Sequence, residues 1–422
     1  MGTLTHKAAR AAYGTAIDAV LKHVKKDREK GLLELVDLTE KYMGDNFQKE
    51  NYEATRKMIQ DPDNKWVKYV NHMIDELDPY VIRQTALNLG YEAAFYGTKT
   101  IREMRKKYDC NIPWLILMDP TSACNLHCTG CWAAEYGNRL NLTYNDLDSV
   151  ITQGKELGIY FYMYTGGEPL VRKGCPSLVG MLKSVPGVEQ VTLTTNGVYL
   201  EEYVEELKDH GLDGVNVSLD TLNPRHFYDI TGRDDLKKVL NGIEAALREQ
   251  IPLKVNVVLQ KGQNEDEWMN LASLAKERKL DVRFIEMMPI GYGRNYELIP
   301  NEEILRKLEV CYGPLKKDMQ VHGNGPAVYY QVPGYEGSIG FISAMHGKFC
   351  QYCNRIRVTS TGEIKSCLCY EDRISVRDAL RANDTEEVRR RLALAIQNKP
   401  AAHKFEIQEL ITEQKEMSSI GG

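Results

Sequence analysis

Two hydrophobic patterns divide the chain into a helical front and a longer stretch of alternating strands and helices. Up to about residue 108, apolar residues recur at helical spacing without strand-like runs, as in residues 12–24, 32–42 and 80–96. From residue 112, short apolar runs alternate with helical stretches. The predicted strands are Trp114–Met118, Ile159–Tyr164, Gln190–Thr195, Gly214–Leu219, Lys254–Leu259 and Val282–Met287. The predicted helices are Tyr144–Leu157, Ser177–Ser184, Glu201–His210, Leu236–Gln250 and Glu265–Lys279.

The strand–helix alternation predicts an α/β fold. Six consecutive units favour a parallel sheet with right-handed crossovers, curled into a partial (β/α)6 barrel. Beyond Gly291 the alternation stops, and we expect a helix at Glu302–Glu309 and short strands at Ala327–Val332 and Ser338–Ile342. The predicted domains are a helical region (1–110), the barrel (111–290) and a C-terminal cysteine-bearing domain (291–422). Chemistry in such barrels lies at the carboxyl ends of the strands.

The composition is that of an ordinary globular protein. Hydrophobic residues make up 43% and charged residues 27% of the chain, and the net charge is −5. This charge argues against a general nucleic-acid-binding surface, although a local basic pocket is compatible with it. Residues 1–25 read as an amphipathic helix rather than a signal peptide, and no apolar stretch approaches the ~18 residues of a membrane span. We therefore expect a cytoplasmic monomer or homodimer without nucleic-acid or membrane partners.

Six of the ten cysteines fall into two triplets at metal-ligand spacing. They are Cys124, Cys128 and Cys131, spaced C-x3-C-x2-C, and Cys350, Cys353 and Cys367, spaced C-x2-C-x13-C. Each triplet offers one ligand fewer than a four-iron cluster or a closed zinc site needs, so one iron would stay open to a small molecule. The alternative is a zinc site completed by a distant fourth side chain.

A glycine-rich turn follows the second predicted strand. Its residues are Gly166, Gly167, Glu168 and Pro169, and paired glycines at a strand end allow a ligand to approach the backbone closely. The carboxylate and carbonyls of this turn are suited to accept hydrogen bonds from an ammonium group. Alone, the same four residues would more often form an ordinary turn.

Further polar and charged residues lie on or after the later strands. Thr194 and Ser218 lie at the ends of the third and fourth strands, Arg283 lies on the sixth, and Met288 follows it. Lys254 lies in an otherwise apolar strand, where its burial would be costly unless it met an anion. The alternative is a lysine whose stem lies along the outer surface and whose ammonium reaches solvent.

The first cysteine triplet in DPTSACNLHCTGCW, together with the Gly-Gly-Glu-Pro turn, resembles the radical S-adenosylmethionine (SAM) enzymes. This resemblance implies a [4Fe–4S] cluster on Cys124, Cys128 and Cys131 whose open iron is chelated by SAM. It also implies SAM contacts from Gly130, Gly166, Gly167 and Glu168. The electron would come from a reductant such as flavodoxin or ferredoxin.

A second resemblance covers roughly residues 187–422. The segments Arg283-Phe-Ile-Glu-Met-Met-Pro289 and Cys350-Gln-Tyr-Cys-Asn-Arg-Ile-Arg-Val358, with the terminal Gly421-Gly422, resemble the GTP 3',8-cyclase family of molybdenum-cofactor biosynthesis. It implies a radical SAM lyase that takes GTP as substrate and a second [4Fe–4S] cluster on Cys350, Cys353 and Cys367 that holds the guanine. The Gly-Gly tail would reach the active site.

The same resemblance assigns further residues. Ser218 and Met288 would contact SAM, and the nucleotide contacts would be Arg172, Thr194, Lys254, Arg283, Arg355 and Arg357.

The front of the chain departs from this family at two positions. Leu117 and Met163 stand where the family has basic residues, and residues 1–180 resemble a different radical SAM group with a helical leader. The chain is therefore interpretable as a fusion of two related barrels near residues 174–188. Three alternatives stay open: a radical SAM enzyme for a non-nucleotide substrate such as a peptide, a non-catalytic metal-binding protein, and a fusion that folds without turnover.

Overall fold

The structure is a computed structural model that describes residues 3–24, 26–43, 49–76, 78–129, 141–185, 188, 190–320, 322–323, 325–350 and 353–413. These residues form two compact units, one within residues 1–107 and 186–189 and the other within residues 108–185 and 190–422. Among the described residues, no helix has the length and apolar character needed to cross a bilayer.

The described residues of 1–107 form helices joined by short turns, as the pattern predicts. The helices are α1 Thr3–Val24, α2 Arg28–Met43, α3 Lys49–Ile59, α4 Lys65–Glu76, α5 Pro79–Thr85 and α6 Thr98–Tyr108, with a π-helical stretch at Ala86–Gly97. One buried cluster joins α1 to α4 through Val24, Leu32, Tyr52 and Ile74. The π-helical stretch replaces the second half of the α-helix expected over residues 80–96.

The second unit is built on one sheet with helices between its strands. Its strands are β1 Leu115–Met118, β2 Phe161–Tyr164, β3 Gln190–Thr195, β4 Gly214–Ser218, β5 Leu253–Val257, β6 Asp281–Ile285, β7 Lys316–Lys317, β8 Val328–Gln331, β9 Ile339–Ile342, β10 Arg355–Val358, β11 Glu363–Lys365 and β12 Arg373–Ser375. Its helices are α7 Tyr144–Glu156, α8 Cys175–Ser184, α9 Leu200–Asp209, α10 Pro224–Thr231, α11 Leu236–Arg248, α12 Trp268–Ala272, α13 Asn301–Tyr312, α14 Arg377–Arg381 and α15 Thr385–Gln397.

The strand order is β12-β11-β10-β1-β2-β3-β4-β5-β6-β9-β8-β7. β1 to β6 pair in parallel, as expected for a partial barrel. Two strands from the C-terminal third continue the parallel sheet on both sides, with β10 against β1 and β9 against β6. The register places Leu117 between Arg357 and Met163.

Side-chain alternation along the barrel strands decides which residues face inward. In β5, Leu253, Val255 and Val257 are buried, whereas Lys254 and Asn256 between them are only partly buried and line an interior cavity. The alternative of an outward-facing Lys254 is therefore wrong.

The predicted helix over residues 265–279 is interrupted. The chain instead forms two short 3₁₀ turns around α12, at Glu265–Glu267 and Ser273–Ala275. The carbonyls of Ala275 and Lys276 accept hydrogen bonds from Gly337 and Glu336, which removes them from the helical pattern. The sequence pattern also missed α10, β10 to β12, α14 and α15.

Candidate active site

A single cavity of about 630 Å³ in the second unit brings together the described cysteines of both triplets. They are Cys124 and Cys128 from the first triplet and Cys350, Cys353 and Cys367 from the second. Gly130 and Cys131 lie in the segment 130–140, and Gly421 and Gly422 in the segment 414–422, both outside the described residues. The described thiols of the two triplets therefore share one chamber rather than lying on opposite faces.

The Gly-Gly-Glu-Pro turn packs directly on the backbone of the first cysteine loop. The amide of Gly167 donates to the carbonyl of Thr121 at 3.2 Å, and the amide of Glu168 donates to that of Ala123 at 2.6 Å. A Cβ on Gly167 would lie 2.1 Å from the Ala123 oxygen, and Gly166 has a φ of +105°. Both positions therefore require glycine, because only glycine permits this approach and this conformation.

The Glu168 carboxylate is hydrogen-bonded to the protein at the edge of the cavity, which Glu168 also lines. It is 1% exposed and accepts from the Leu170 amide at 3.0 Å, the Thr195 hydroxyl at 2.7 Å and the Asn196 amide at 2.6 Å. Burial raises its pKa to about 7, although these three donors oppose the shift. These bonds join the turn to the end of β3, and the expected contact of Glu168 with SAM stays a prediction.

Asn196 connects the same region to the first cysteine triplet. Its side-chain amide lies 3.8 Å from the sulfur of Cys124 and donates to Asn125 at 2.7 Å. Asn196 directly follows the last residue of β3. Its contact with a predicted ligand is visible only in three dimensions.

Asp119 follows β1 and carries a buried carboxyl group. It packs beside Gly166 of the turn and interacts electrostatically with Arg357 of β10. It is 2% exposed, and neither of its oxygens has a hydrogen-bond partner among the described residues. Burial raises its pKa to about 8, and the positive charge of Arg357 opposes that shift. The group is therefore held mostly protonated at neutral pH.

Two cations line the inner wall formed by β5 and β6. Lys254 donates to the carbonyl of His322, and burial together with the charge of Arg283 lowers its pKa to about 8. Arg283 donates to the side-chain oxygens of Asn256 and Asn216, both at 2.8 Å. Each of these acceptors is neutral, whereas the Asp281 carboxylate interacts electrostatically with both cations. One nearby carboxylate does not balance two cations, so this wall can attract an anion.

Two further cations come from β10, beside the second triplet. Arg355 and Arg357 line the cavity, and burial lowers the pKa of both, that of Arg355 to about 10. The Arg355 guanidinium lies 5.5 Å from the centre of the Phe349 ring. Burial raises the pKa of the Cys353 thiol, but Lys399 and Arg355 outweigh it and the net pKa is lowered. This donor set suits a thiolate-bound cluster, because the cations offset its negative charge.

The wall formed by β1 and β2 is apolar. Leu117 and Met163 line the cavity there together with Leu115 and Phe161. The sulfur of Met163 lies 3.6 Å from the hydroxyl of Thr194, which also lines the cavity. The positive charges on the described wall are therefore concentrated on the β5, β6 and β10 side.

Ser218 and Met288 line the cavity, but Arg172 is not among its lining residues. The Arg172 guanidinium donates to the carbonyl of Pro120 and lies 5.4 Å from the centre of the Tyr144 ring. These contacts hold its charge beside the cysteine loop, and the geometry gives no support to a substrate contact. Lys399 and His403, which no motif marked, do line the cavity.

Comparison with known proteins gives two adjacent family matches. The Radical SAM superfamily profile matches residues 118–275, and the Molybdenum Cofactor Synthesis C profile matches residues 280–405. The crystal structure of Streptococcus suis SuiB bound to S-adenosylmethionine is 14% identical, with a TM-score of 0.49 over 77% of this chain and 76% of that chain. So distant a likeness carries no argument about function.

Curated relatives give the closer comparison. GTP 3',8-cyclase from Clostridium perfringens strain 13 is 38% identical over 324 residues, which is 76% of this chain and all of the relative. The enzyme of the same name from Peptoclostridium acidaminophilum is 40% identical over 72% of this chain and 93% of the relative. Both matches are longer than residues 187–422, so the likeness includes part of the front half. The chain belongs to the GTP 3',8-cyclase family of radical SAM proteins.

Proposed function

We propose that this protein is a radical SAM lyase that converts GTP to 3',8-cyclo-7,8-dihydro-GTP, the first step of molybdenum-cofactor biosynthesis. The observation that carries the proposal is the single cavity lined by the described cysteines of both triplets and by four cations of β5, β6 and β10. Relatives that match nearly their whole length bear the same enzyme name.

The residues of the cavity fit two [4Fe–4S] clusters and SAM. Cys124 and Cys128, with Cys131, would hold the first cluster, and Cys350, Cys353 and Cys367 would hold the second. When bound, the first cluster and SAM would supply a 5'-deoxyadenosyl radical, formed together with methionine as SAM takes up one electron from the reductant, for removal of the 3'-hydrogen of the nucleotide ribose. The glycines let the turn pack closely on the cysteine loop beside which SAM would bind, and Ser218 and Met288 line the same cavity.

The cations would orient the nucleotide. Among the described residues, the hydrogen-bond acceptors of Lys254 and Arg283 at His322, Asn256 and Asn216 are neutral, and Asp281 is the carboxylate that interacts with both cations. A triphosphate would bring more negative charge to this wall than Asp281 does. Arg355 and Arg357 lie beside the second triplet, where the base would be held.

One observation favours a second candidate, a radical SAM enzyme for a non-nucleotide substrate such as a peptide. Leu117 and Met163 make the β1–β2 wall apolar where the family has basic residues. Two fewer charge-assisted contacts would weaken triphosphate binding by ~1.5–3 kcal/mol each.

Anaerobic reconstitution with iron and sulfide, followed by mass analysis of the nucleotide after incubation with GTP and SAM, tests the proposal. We expect 5'-deoxyadenosine and a cyclised nucleotide. Cleavage of SAM without any GTP binding would favour the peptide alternative. Two zinc ions per chain without labile sulfide would instead indicate a non-catalytic metal-binding protein.

Three cysteine variants separate the roles of the two sites. Cys128→Ala should abolish 5'-deoxyadenosine formation, whereas Cys353→Ala should retain SAM cleavage and lose the cyclised product. Cys311→Ala is the matched control, because Cys311 is an exposed thiol on α13 and does not line the cavity. Unchanged product yield in Cys353→Ala would remove the second site from the mechanism.

The partners follow from the same proposal. We expect GTP as the substrate and a one-electron donor of the flavodoxin or ferredoxin type, with no nucleic-acid or membrane partner. The protein would act in the cytoplasm as a monomer or homodimer.

A further inference from the structure

The segment that follows α15 contacts the second cysteine triplet without contributing a thiol to it. We call residues 399–404 the strap. The ammonium of Lys399 donates to the carbonyl of Arg355 at 2.7 Å and to the carbonyl of Ser366 at 2.9 Å. Arg355 follows Cys353 by two residues, and Ser366 directly precedes Cys367. One side chain therefore ties together the two backbone segments that carry two of the three cysteines.

The strap also reaches the third cysteine. The backbone amide of His403 donates to the sulfur of Cys350 at 3.4 Å. His403 is 8% exposed, and its ring packs on Phe405 at a centroid distance of 4.6 Å, which holds the backbone at this point. The next amide, that of Lys404, donates to the sulfur of Cys369 at 3.4 Å.

The charge of Lys399 adds to this arrangement. Both of its hydrogen-bond acceptors are neutral carbonyls, and its ammonium interacts electrostatically with the thiols of Cys353 and Cys367. Lys399 also lines the cavity. A cation beside a thiolate-bound cluster stabilises the more negative, reduced form, and amide hydrogen bonds to the sulfurs act in the same direction.

We infer that the strap positions the second metal site, with Lys399 as a positioning residue that sets the spacing of Cys353 and Cys367 and offsets the charge of their thiolates. The inference rests on the proposed metal at Cys350, Cys353 and Cys367. The strap adds two things to the triplet: a bridge from Lys399 between its two backbone segments and an N–H donor to Cys350 from His403.

The test measures metal retention at the second site in a Cys128→Ala background, where the first site is disabled. The variants are Lys399→Met, Lys399→Gln and Lys399→Arg. Lys404→Met is the matched control, since it removes an exposed ammonium from the same segment and leaves the Lys404 amide in place. Each reconstituted protein is challenged with a chelator, and the bound metal is followed with time, whether that metal is iron or zinc.

We expect Lys399→Met and Lys399→Gln to lose the metal ~10–100-fold more readily than the parent, as is usual when a residue that supports the ligands is removed. Lys399→Arg should restore part of the retention, and Lys404→Met should match the parent. Where the metal is iron, the neutral variants should also shift the midpoint potential of the cluster to a more negative value, a change that loosened packing alone would not predict.

The inference is wrong if both neutral variants keep the metal as long as the parent does. Lys399→Gln removes the charge but keeps a hydrogen-bond donor at this position. If Lys399→Met does not fold, Lys399→Gln still tests whether the charge of Lys399 supports metal retention. If the parent protein binds zinc instead of iron, the proposed function is contradicted. The rate of zinc loss from the Lys399 variants, compared with that from the parent, would still decide the role of Lys399. The two failures are therefore distinguishable.

Discussion

Replacing Asp119 with asparagine should remove a pH-dependent loss of stability from the protein. Asp119 is 2% exposed and has no hydrogen-bond partner for either oxygen among the described residues. Burial raises its pKa from 3.8 to about 8, with Arg357 opposing the shift. Asparagine has nearly the shape of the protonated acid and cannot ionise, so Asp119→Asn should preserve the packing around β1.

The sign and size of the effect follow from proton linkage. The folded state holds the Asp119 proton up to a pH of about 8, whereas the unfolded chain releases it near 3.8. The stabilisation is complete below the unfolded pKa and decreases as the pH rises toward the folded pKa. The slope is about 1.4 kcal/mol per pH unit, so the parent should lose ~3 kcal/mol between pH 5 and pH 7 from this group.

Urea unfolding of the metal-free parent and of Asp119→Asn at pH 5 and pH 7 measures this difference. The midpoint of the parent should fall relative to that of the variant as the pH rises. Asp148→Asn is a suitable control, because Asp148 is exposed on α7, and it should follow the parent. If Asp119→Asn and the parent lose stability in parallel, the Asp119 carboxyl is not held protonated and the reasoning fails.

Three other predictions concern the turn, the C-terminal region and the tail. Gly167→Ala would place a Cβ 2.1 Å from the Ala123 oxygen and push the turn away from the cysteine loop. The affinity for SAM, measured by equilibrium dialysis, should therefore fall at least ~10-fold. An affinity equal to that of the parent would contradict the close packing. Lys365→Met leaves the buried Glu413 carboxylate without one of its cations, so the free energy of unfolding should fall by about 3 kcal/mol. Urea unfolding measures this, and a midpoint equal to that of the parent would refute the prediction. Deleting residues 421–422 should lower turnover more than stability, and full activity would make the tail incidental.

Local patterns were sufficient for the barrel because each strand there carries its own signal. β3 begins and ends where the pattern predicts, and the predicted ends of the other five barrel strands lie within two residues of the observed ones. The cysteine spacing and the glycine turn likewise identify residues that line the cavity. These features depend on residues close together in the chain.

The parts that the pattern missed depend on distant partners. β10 alternates arginine with isoleucine and valine, which resembles a solvent-exposed edge, yet it pairs in parallel with β1 more than 200 residues earlier. Lys399 follows α15 and has no sequence motif around it. Its position beside the second cysteine triplet becomes apparent from its hydrogen bonds to the carbonyls of Arg355 and Ser366. The family resemblance predicts Arg172 as a nucleotide contact, but its guanidinium donates to the carbonyl of Pro120 and lies over the Tyr144 ring, and Arg172 does not line the cavity.

The placement of β10 and β9 bears on whether the barrel could ever exist by itself. A chain that ends near residue 290 would lack β10 and β9, the strands that pair with β1 and β6. Two rows of backbone amides and carbonyls that are paired in the intact protein would then be exposed. Exposed rows of this kind recruit strands from other molecules. Gene fragments or proteolytic products of the front two thirds should therefore precipitate, and the C-terminal third is as much a folding partner of the barrel as a carrier of metal ligands.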